Sequence, residues 1–266
     1  MPPNDVVRRN LNVSSRIDFA GEGEPMPLPL ISRPADRALV NPPTTTMITD
    51  PTIDTAPYRS VGKMELFFDP LRSLRASGWV VAPRAFITAG HCVYTADRGG
   101  WIIEASFCPR FNLGCSEKSY KVEAVFTLQG WLDNSDPVTN TQYDMGACLV
   151  TEPFAGTEPP LAFDLSPLPA FQFAAIGYPG KRIPNYDFNG KRMWQSVGGL
   201  AAAGGGTLTA ENNLTNGASG GPWCEPQNNW VVSGLTSARI TDDLNLAVSP
   251  VLGQGFQNLY NAVKDL

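Results

Sequence analysis

The chain has one histidine in 266 residues, His91. Any step that needs an imidazole base must use that side chain, and a centre built from several histidines is excluded. Five cysteines, Cys92, Cys108, Cys115, Cys148 and Cys224, lack the close paired spacing of a zinc site. No metal ligand set and no organic cofactor is therefore expected. Charge is also scarce. Twenty basic against 25 acidic residues leave a net charge of −5, so nothing points to nucleic acid or an anionic membrane as partner. No run of about 18 apolar residues occurs, so no membrane-spanning helix is expected. The start MPPNDVVRRN continues into LNVSSRIDFAGEGEP. That stretch lacks the apolar core of roughly 7–15 residues found in export signals. Two readings of location stay open: a cytoplasmic chain, or one whose export segment was removed.

Extended helical periodicity is missing as well. The 25 glycines and 24 prolines favour turns and short strands over long helices. Residues 1–57 contain PMPLPLISRP and NPPTTTMITDPTIDTAP, too rich in proline for a helix or a central strand. They are read as an irregular leader or pro-segment, either a solvated tail or an arm over the domain at 58–266. From Tyr58 onward, short apolar runs alternate with turn clusters. Strands are expected at GWVVAP (78–83), RAFITAGHC (84–92), WIIEASF (101–107), YKVEAVFTL (120–128), MGACLV (145–150), FQFAAIGY (171–178) and NWVVSGL (229–235). Such texture predicts an all-β barrel or sandwich. At the end, Phe256, Leu259, Tyr260 and Val263 recur at helical spacing and predict an amphipathic C-terminal helix.

The stretch TNGASGGPW (215–223) sets Ser219 among glycines. A serine hydroxyl becomes a useful nucleophile when a base takes its proton. Here that base can only be His91. The GxSxG pattern at 217–221 fits the nucleophile elbow of α/β-hydrolases, but that fold places its histidine after the serine. No histidine follows Ser219. Subtilisin order would use Asp54 or Asp69 before His91, and the β-rich texture argues against it. Chymotrypsin order, His then Asp then Ser, remains. It fits ITAGHC around His91, YDMGACLV around Asp144, and GASGGP around Ser219. Asp133 and Asp136, in the polar stretch WLDNSDP, are rivals to Asp144.

ITAGHC resembles the histidine signature of chymotrypsin-fold peptidases. With GYPG (177–180), MWQS (193–196) and YDMGA (143–147), the chain resembles the V8-like, glutamyl-endopeptidase branch of serine proteases from about Val61 onward. The resemblance implies two six-stranded antiparallel β-barrels, a protein or peptide substrate, and secretion. It implies a nucleophile at Ser219, a base at His91, an orienting carboxylate at Asp144, and oxyanion donors on the backbone of Gly217 and Ser219.

Specificity departs from the branch. By the same resemblance the primary pocket involves Asn213, Leu214, Val232, Ser233, Gly234 and Arg239. Val232 stands for the histidine, and Leu214 for the threonine, that help glutamate-specific members bind an acidic side chain. Asn213 stands for the acid of trypsin-like members. An apolar or small primary side chain is expected, unless Arg239, otherwise read as a solvated loop residue, points into the pocket. A bridge is expected between Cys92 and Cys108, with Cys108–Cys115 as the alternative, and Cys148 and Cys224 as buried thiols. Ala218 cannot make the ion pair that orders the serine loop in trypsin-like zymogens. The loop is therefore expected to be preformed, with any latency coming from self-inhibition by the leader or from the chain near Val61 needing trimming.

Overall fold

The computed structural model describes residues 2–13, 23–31, 42–115, 118–134, 140–165, 172–241 and 243–266. Phe171 and Asp136 lie outside them. Six strands form a closed antiparallel barrel: Val61–Asp69, Arg72–Ala82, Ala85–Thr88, Gly146–Val150, Tyr120–Leu128 and Glu104–Pro109, the last returning to the first. Its interior is apolar. Phe86 and Phe107 stack with centroids 4.0 Å apart, and Trp79 is fully buried.

The second sheet curls without closing. Its strands run Val231–Leu235, Pro222–Glu225, Gln172–Gly177, Trp194–Gly204, Thr207–Glu211, Asp243–Pro250 and Ala238–Ile240. Between its first strand and Asp243–Pro250 there is no ladder. The Leu235 N–H donates instead to Ser249 Oγ at 2.8 Å. The two-barrel expectation thus holds, the second barrel being a curled half-barrel. The 229–235 strand starts only at Val231, because Asn229 and Trp230 turn with φ of 51° and 61°.

The described residues of the stretch before Tyr58, expected to be irregular, contribute four short strands. Val6–Asn10 pairs antiparallel with Ala124–Leu128, and Thr44–Met47 with Trp194–Val197. Glu24–Pro25 runs parallel to Leu74–Arg75, and Leu30–Ile31 parallel to Arg239–Ile240. Each satisfies backbone groups on a strand that would otherwise be left open. Proline density forbids a central strand but not these short edge pairings.

Cysteine pairing differs from the preferred expectation. Cys108 bonds Cys115, with Cα atoms 5.9 Å apart, while Cys92, Cys148 and Cys224 are free and buried. After the Glu104–Pro109 strand the chain reverses through left-handed residues, Arg110 (φ 50°) and Leu113 (φ 63°), which returns Cys115 to Cys108. Cys92 faces the barrel interior, near enough to Cys148 to raise its thiol pKa further, beyond what burial does.

The C-terminal helix Gln254–Val263 buries Phe256, Leu259 and Val263. Phe256 stacks on Trp79 at 5.9 Å and meets Phe163 edge-on at 4.9 Å. The helix thereby closes one end of the first barrel. Phe256→Ala should cost about 3–5 kcal/mol, seen as a lower urea midpoint with an unchanged denaturant slope.

Candidate active site

His91 lies in a single 3-10 turn, Gly90–Cys92, that follows the strand Ala85–Thr88. Asp144 follows another such turn, Thr141–Tyr143, and precedes the strand Gly146–Val150. These two strands are antiparallel neighbours with Thr88 opposite Gly146. Their register alone sets Asp144 beside His91. The Asp144 carboxylate is fully buried and takes three hydrogen bonds. Oδ1 accepts the His91 backbone N–H at 2.7 Å, and Oδ2 accepts His91 Nδ1 at 2.8 Å. The third donor is the Ser237 hydroxyl, also on Oδ2. A buried carboxylate needs such partners to stay ionised.

Ser237 was not singled out from the sequence. It sits in Thr236-Ser237-Ala238-Arg239, and only the fold brings it to Asp144, 93 residues away. Its own backbone is fixed by donation to the Val248 carbonyl at 3.0 Å. A serine between two short apolar stretches carries no signal of that contact.

With Nδ1 donating to Asp144, the other ring nitrogen is free to act as acceptor. His91 Nε2 and Ser219 Oγ are both buried, and neither has a hydrogen-bond partner among the described residues. They are not bonded to each other in this state. Burial by itself pushes the imidazole pKa down. The Asp144 carboxylate, with Cys92 beside the ring, more than offsets this and holds it well above the ordinary 6.5.

The Ser219 loop is held by neutral hydrogen bonds. Its carbonyl accepts the Ser77 N–H at 2.8 Å, and the Ser77 hydroxyl donates to the Gly217 carbonyl at 2.9 Å. Gly220 N–H donates to Thr236, whose own N–H returns to Gly221, both at 2.8 Å. Gly220 has φ 81°, and a Cβ there would lie 2.2 Å from Thr88 Oγ1 and 2.5 Å from the Ser77 carbonyl. Gly217 has φ 94°, and a Cβ would meet the Tyr178 carbonyl at 2.7 Å. Both positions require glycine. Ala218 is fully buried in the second sheet's apolar cluster, where an ionised acid would have no place.

The expected pocket residues separate into two groups. Asn213 is buried beside the loop, its Oδ1 accepting from Thr45 Oγ1 at 2.6 Å and from Ser196 Oγ at 3.3 Å. Leu214 is fully buried in the same apolar cluster as Ala218. Val232, Ser233 and Gly234 are occupied elsewhere. Val232 bridges to Phe163, the Ser233 hydroxyl donates to Glu225, and Gly234 packs on Ser249 and Trp223. The residues that meet the serine loop and Asp144 are Thr236, through Gly220 and Gly221, and Ser237. Arg239 is not solvated. Its Nη2 donates to the Leu244 carbonyl, and burial lowers its pKa to about 10 despite Asp243 nearby.

A cavity of about 430 Å³ lies against His91. Thr95, Asp97, Arg98 and Trp131 line one side, and residues Met26 to Pro29 line the other.

Because His91 is the sole histidine, its ring protons titrate without assignment by NMR. The midpoint should lie well above 6.5, and Asp144→Asn should lower it, since burial remains after the counter-charge is gone. The native state binds this proton more tightly than the unfolded chain. The pair's stabilisation is therefore complete below pH of about 6.5 and is lost as pH rises through the folded value. A midpoint unmoved by Asp144→Asn would refute the assignment of cause.

No family model matches the chain. It is 29% identical to the glutamyl endopeptidase of Bacillus licheniformis over 150 residues, 55% of this chain and 44% of that protein. The chain thus spans under half the length of that relative. It is similar to a solved Glu endopeptidase with a TM-score of 0.70 at 19% identity, over 86% of this chain and 100% of the other. Against protease Anisep of Arthrobacter nicotinovorans the TM-score is 0.66 at 20% identity, over 78% and 96%. The solved structures establish the fold, and the shared sequence is a likeness to glutamyl endopeptidase over 150 residues. The chain is a homologue of glutamyl endopeptidase, built on the chymotrypsin-like serine protease fold.

Proposed function

We propose that the chain is a serine endopeptidase working through His91, Asp144 and Ser219. The observation that carries this reading is the doubly bonded Asp144–His91 pair, with His91 Nε2 and Ser219 Oγ both buried and unpaired. In this reading Ser219 Oγ bonds to a peptide carbonyl carbon while its proton passes to His91 Nε2. The C–N bond then breaks, and His91 gives the proton to the leaving amine. Water hydrolyses the resulting acyl-enzyme, with His91 again as base. Asp144 fixes the ring tautomer and stabilises its cationic form. Ser237 positions that carboxylate. Backbone N–H groups of Gly217 and Ser219 serve the oxyanion, each worth about 2.7–4 kcal/mol of transition-state stabilisation. The substrates of this reading are proteins or peptides.

Primary specificity turns on two residues. Leu214, fully buried by the loop, favours a small or apolar side chain. Arg239, buried and cationic on the Ala238–Ile240 strand that follows Ser237, is the one feature that favours an acidic one. Cleavage-site profiling on a peptide library separates them. A dominant Asp or Glu that vanishes in Arg239→Ala assigns the role to Arg239.

The proposed nucleophile is tested by prolonged incubation with a serine-directed phosphonate, followed by intact-mass analysis. The wild-type chain should gain one adduct and Ser219→Ala none, with kcat/KM falling on the order of 10⁴–10⁶-fold. A folded, leader-free sample that never labels would mark the chain as a peptide-binding module on a protease fold.

A further inference from the structure

Residues 23–31, sequence GEPMPLPLI, cross the face that carries Ser219. They contact both rims and the floor. On one rim, the Met26 N–H donates to the Arg75 carbonyl at 2.7 Å. On the other, the Arg239 N–H donates to Pro29 at 2.8 Å and the Thr241 N–H to Ile31 at 2.9 Å. Between them, the Leu28 N–H reaches Asn216 Oδ1 at 3.3 Å. On the floor, Gly217 N–H, a proposed oxyanion donor, is already taken: it donates to the Met26 carbonyl at 2.9 Å. Met26 and Leu28 are buried there.

Three features make this segment unlike a passing loop. Its direction is uniform, since it runs parallel to Leu74–Arg75 on one rim and parallel to Arg239–Ile240 on the other. Prolines alternate at 25, 27 and 29. Alternation leaves N–H groups only on the residues between, and the two at Met26 and Leu28 are both bonded. It also holds the segment extended before docking, so little entropy is lost on binding. Finally, the carbonyl on Gly217 belongs to the Met26–Pro27 bond. The nitrogen that would leave on attack is a proline ring nitrogen, with a ring carbon where an ordinary substrate has a hydrogen.

We propose that residues 23–31 are a built-in inhibitory strap, stiffened by alternating prolines, that fills the substrate cleft with the Met26 carbonyl on Gly217 and resists cleavage there. This rests on the endopeptidase reading. The full chain is then latent, and activity requires the strap to leave the cleft while the body stays folded.

The test compares the full chain with Leu28→Asp and with a Pro25→Ala, Pro27→Ala, Pro29→Ala triple variant. None of these residues is in the proposed catalytic machinery. Two readouts are taken: the rate of phosphonate labelling at Ser219, and hydrogen exchange at the Gly217 and Arg239 amides. Leu28→Asp should label at least roughly ten-fold faster, because the fraction of chains with an open cleft sets the apparent reactivity. Both amides should lose protection in that variant. The triple variant should show the same direction and be cut within 23–31. A synthetic GEPMPLPLI peptide added to Leu28→Asp should slow its labelling again without being cut. Equal labelling rates in all three chains would overturn the strap and leave the protease reading standing. If no chain labels, the protease reading fails, and hydrogen exchange still judges the strap: unchanged protection overturns it, and lost protection supports occupancy of the cleft.

Discussion

Ser77 is the point on which the geometry of the site depends. It is fully buried on the Arg72–Ala82 strand of the closed barrel, and all its polar atoms are committed. Its N–H holds the Ser219 carbonyl, its hydroxyl holds the Gly217 carbonyl and receives the Tyr178 N–H, and its carbonyl takes the Thr88 hydroxyl. Tyr178 directly follows a strand of the second sheet, and Thr88 ends the strand that leads to His91. One residue thus ties the nucleophile loop, the base-bearing strand and the other sheet together. A loop pinned by neutral bonds in a dry site needs no ion pair to acquire its shape, which accounts for Ala218 where an acid might have stood.

The same economy governs the Asp144 carboxylate. Its charge is out of water, so its stability rests on three donors from two distant parts of the chain. Two come from His91 itself, through the backbone and the ring. The third, Ser237, comes from the second sheet. The barrel and the half-barrel are therefore joined through the charged centre, and the orientation of the imidazole depends on how the two sheets pack.

Much of this was legible in the sequence because it is local. His91, Asp144 and Ser219 each sit where a strand ends or a glycine loop turns, and strand ends can be read from apolar runs and turn residues. The C-terminal helix was legible from its spacing for the same reason. What could not be read depends on partners far along the chain. Val232 and Ser233 were expected in the pocket along with Arg239, yet Val232 bridges to Phe163 and the Ser233 hydroxyl donates to Glu225, while the bonds to the serine loop and to Asp144 come from Thr236 and Ser237. Cys115 meets Cys108 through two left-handed residues that no composition rule marks. The leader's strands formed only because edges at 74–75, 124–128, 194–197 and 239–240 were open to receive them.

Those leader strands have a consequence of their own. Val6–Asn10 is laddered to the closed barrel, and Thr44–Met47 to the second sheet, on either side of residues 23–31. A ligand moored at both ends faces its site at an effective concentration of around millimolar, as short tethers give. One backbone nick within the segment removes that advantage without removing the pieces, since each half keeps its own anchorage. The transition from moored to competing ligand is then a change in connectivity alone, with every residue still attached to the body it guards.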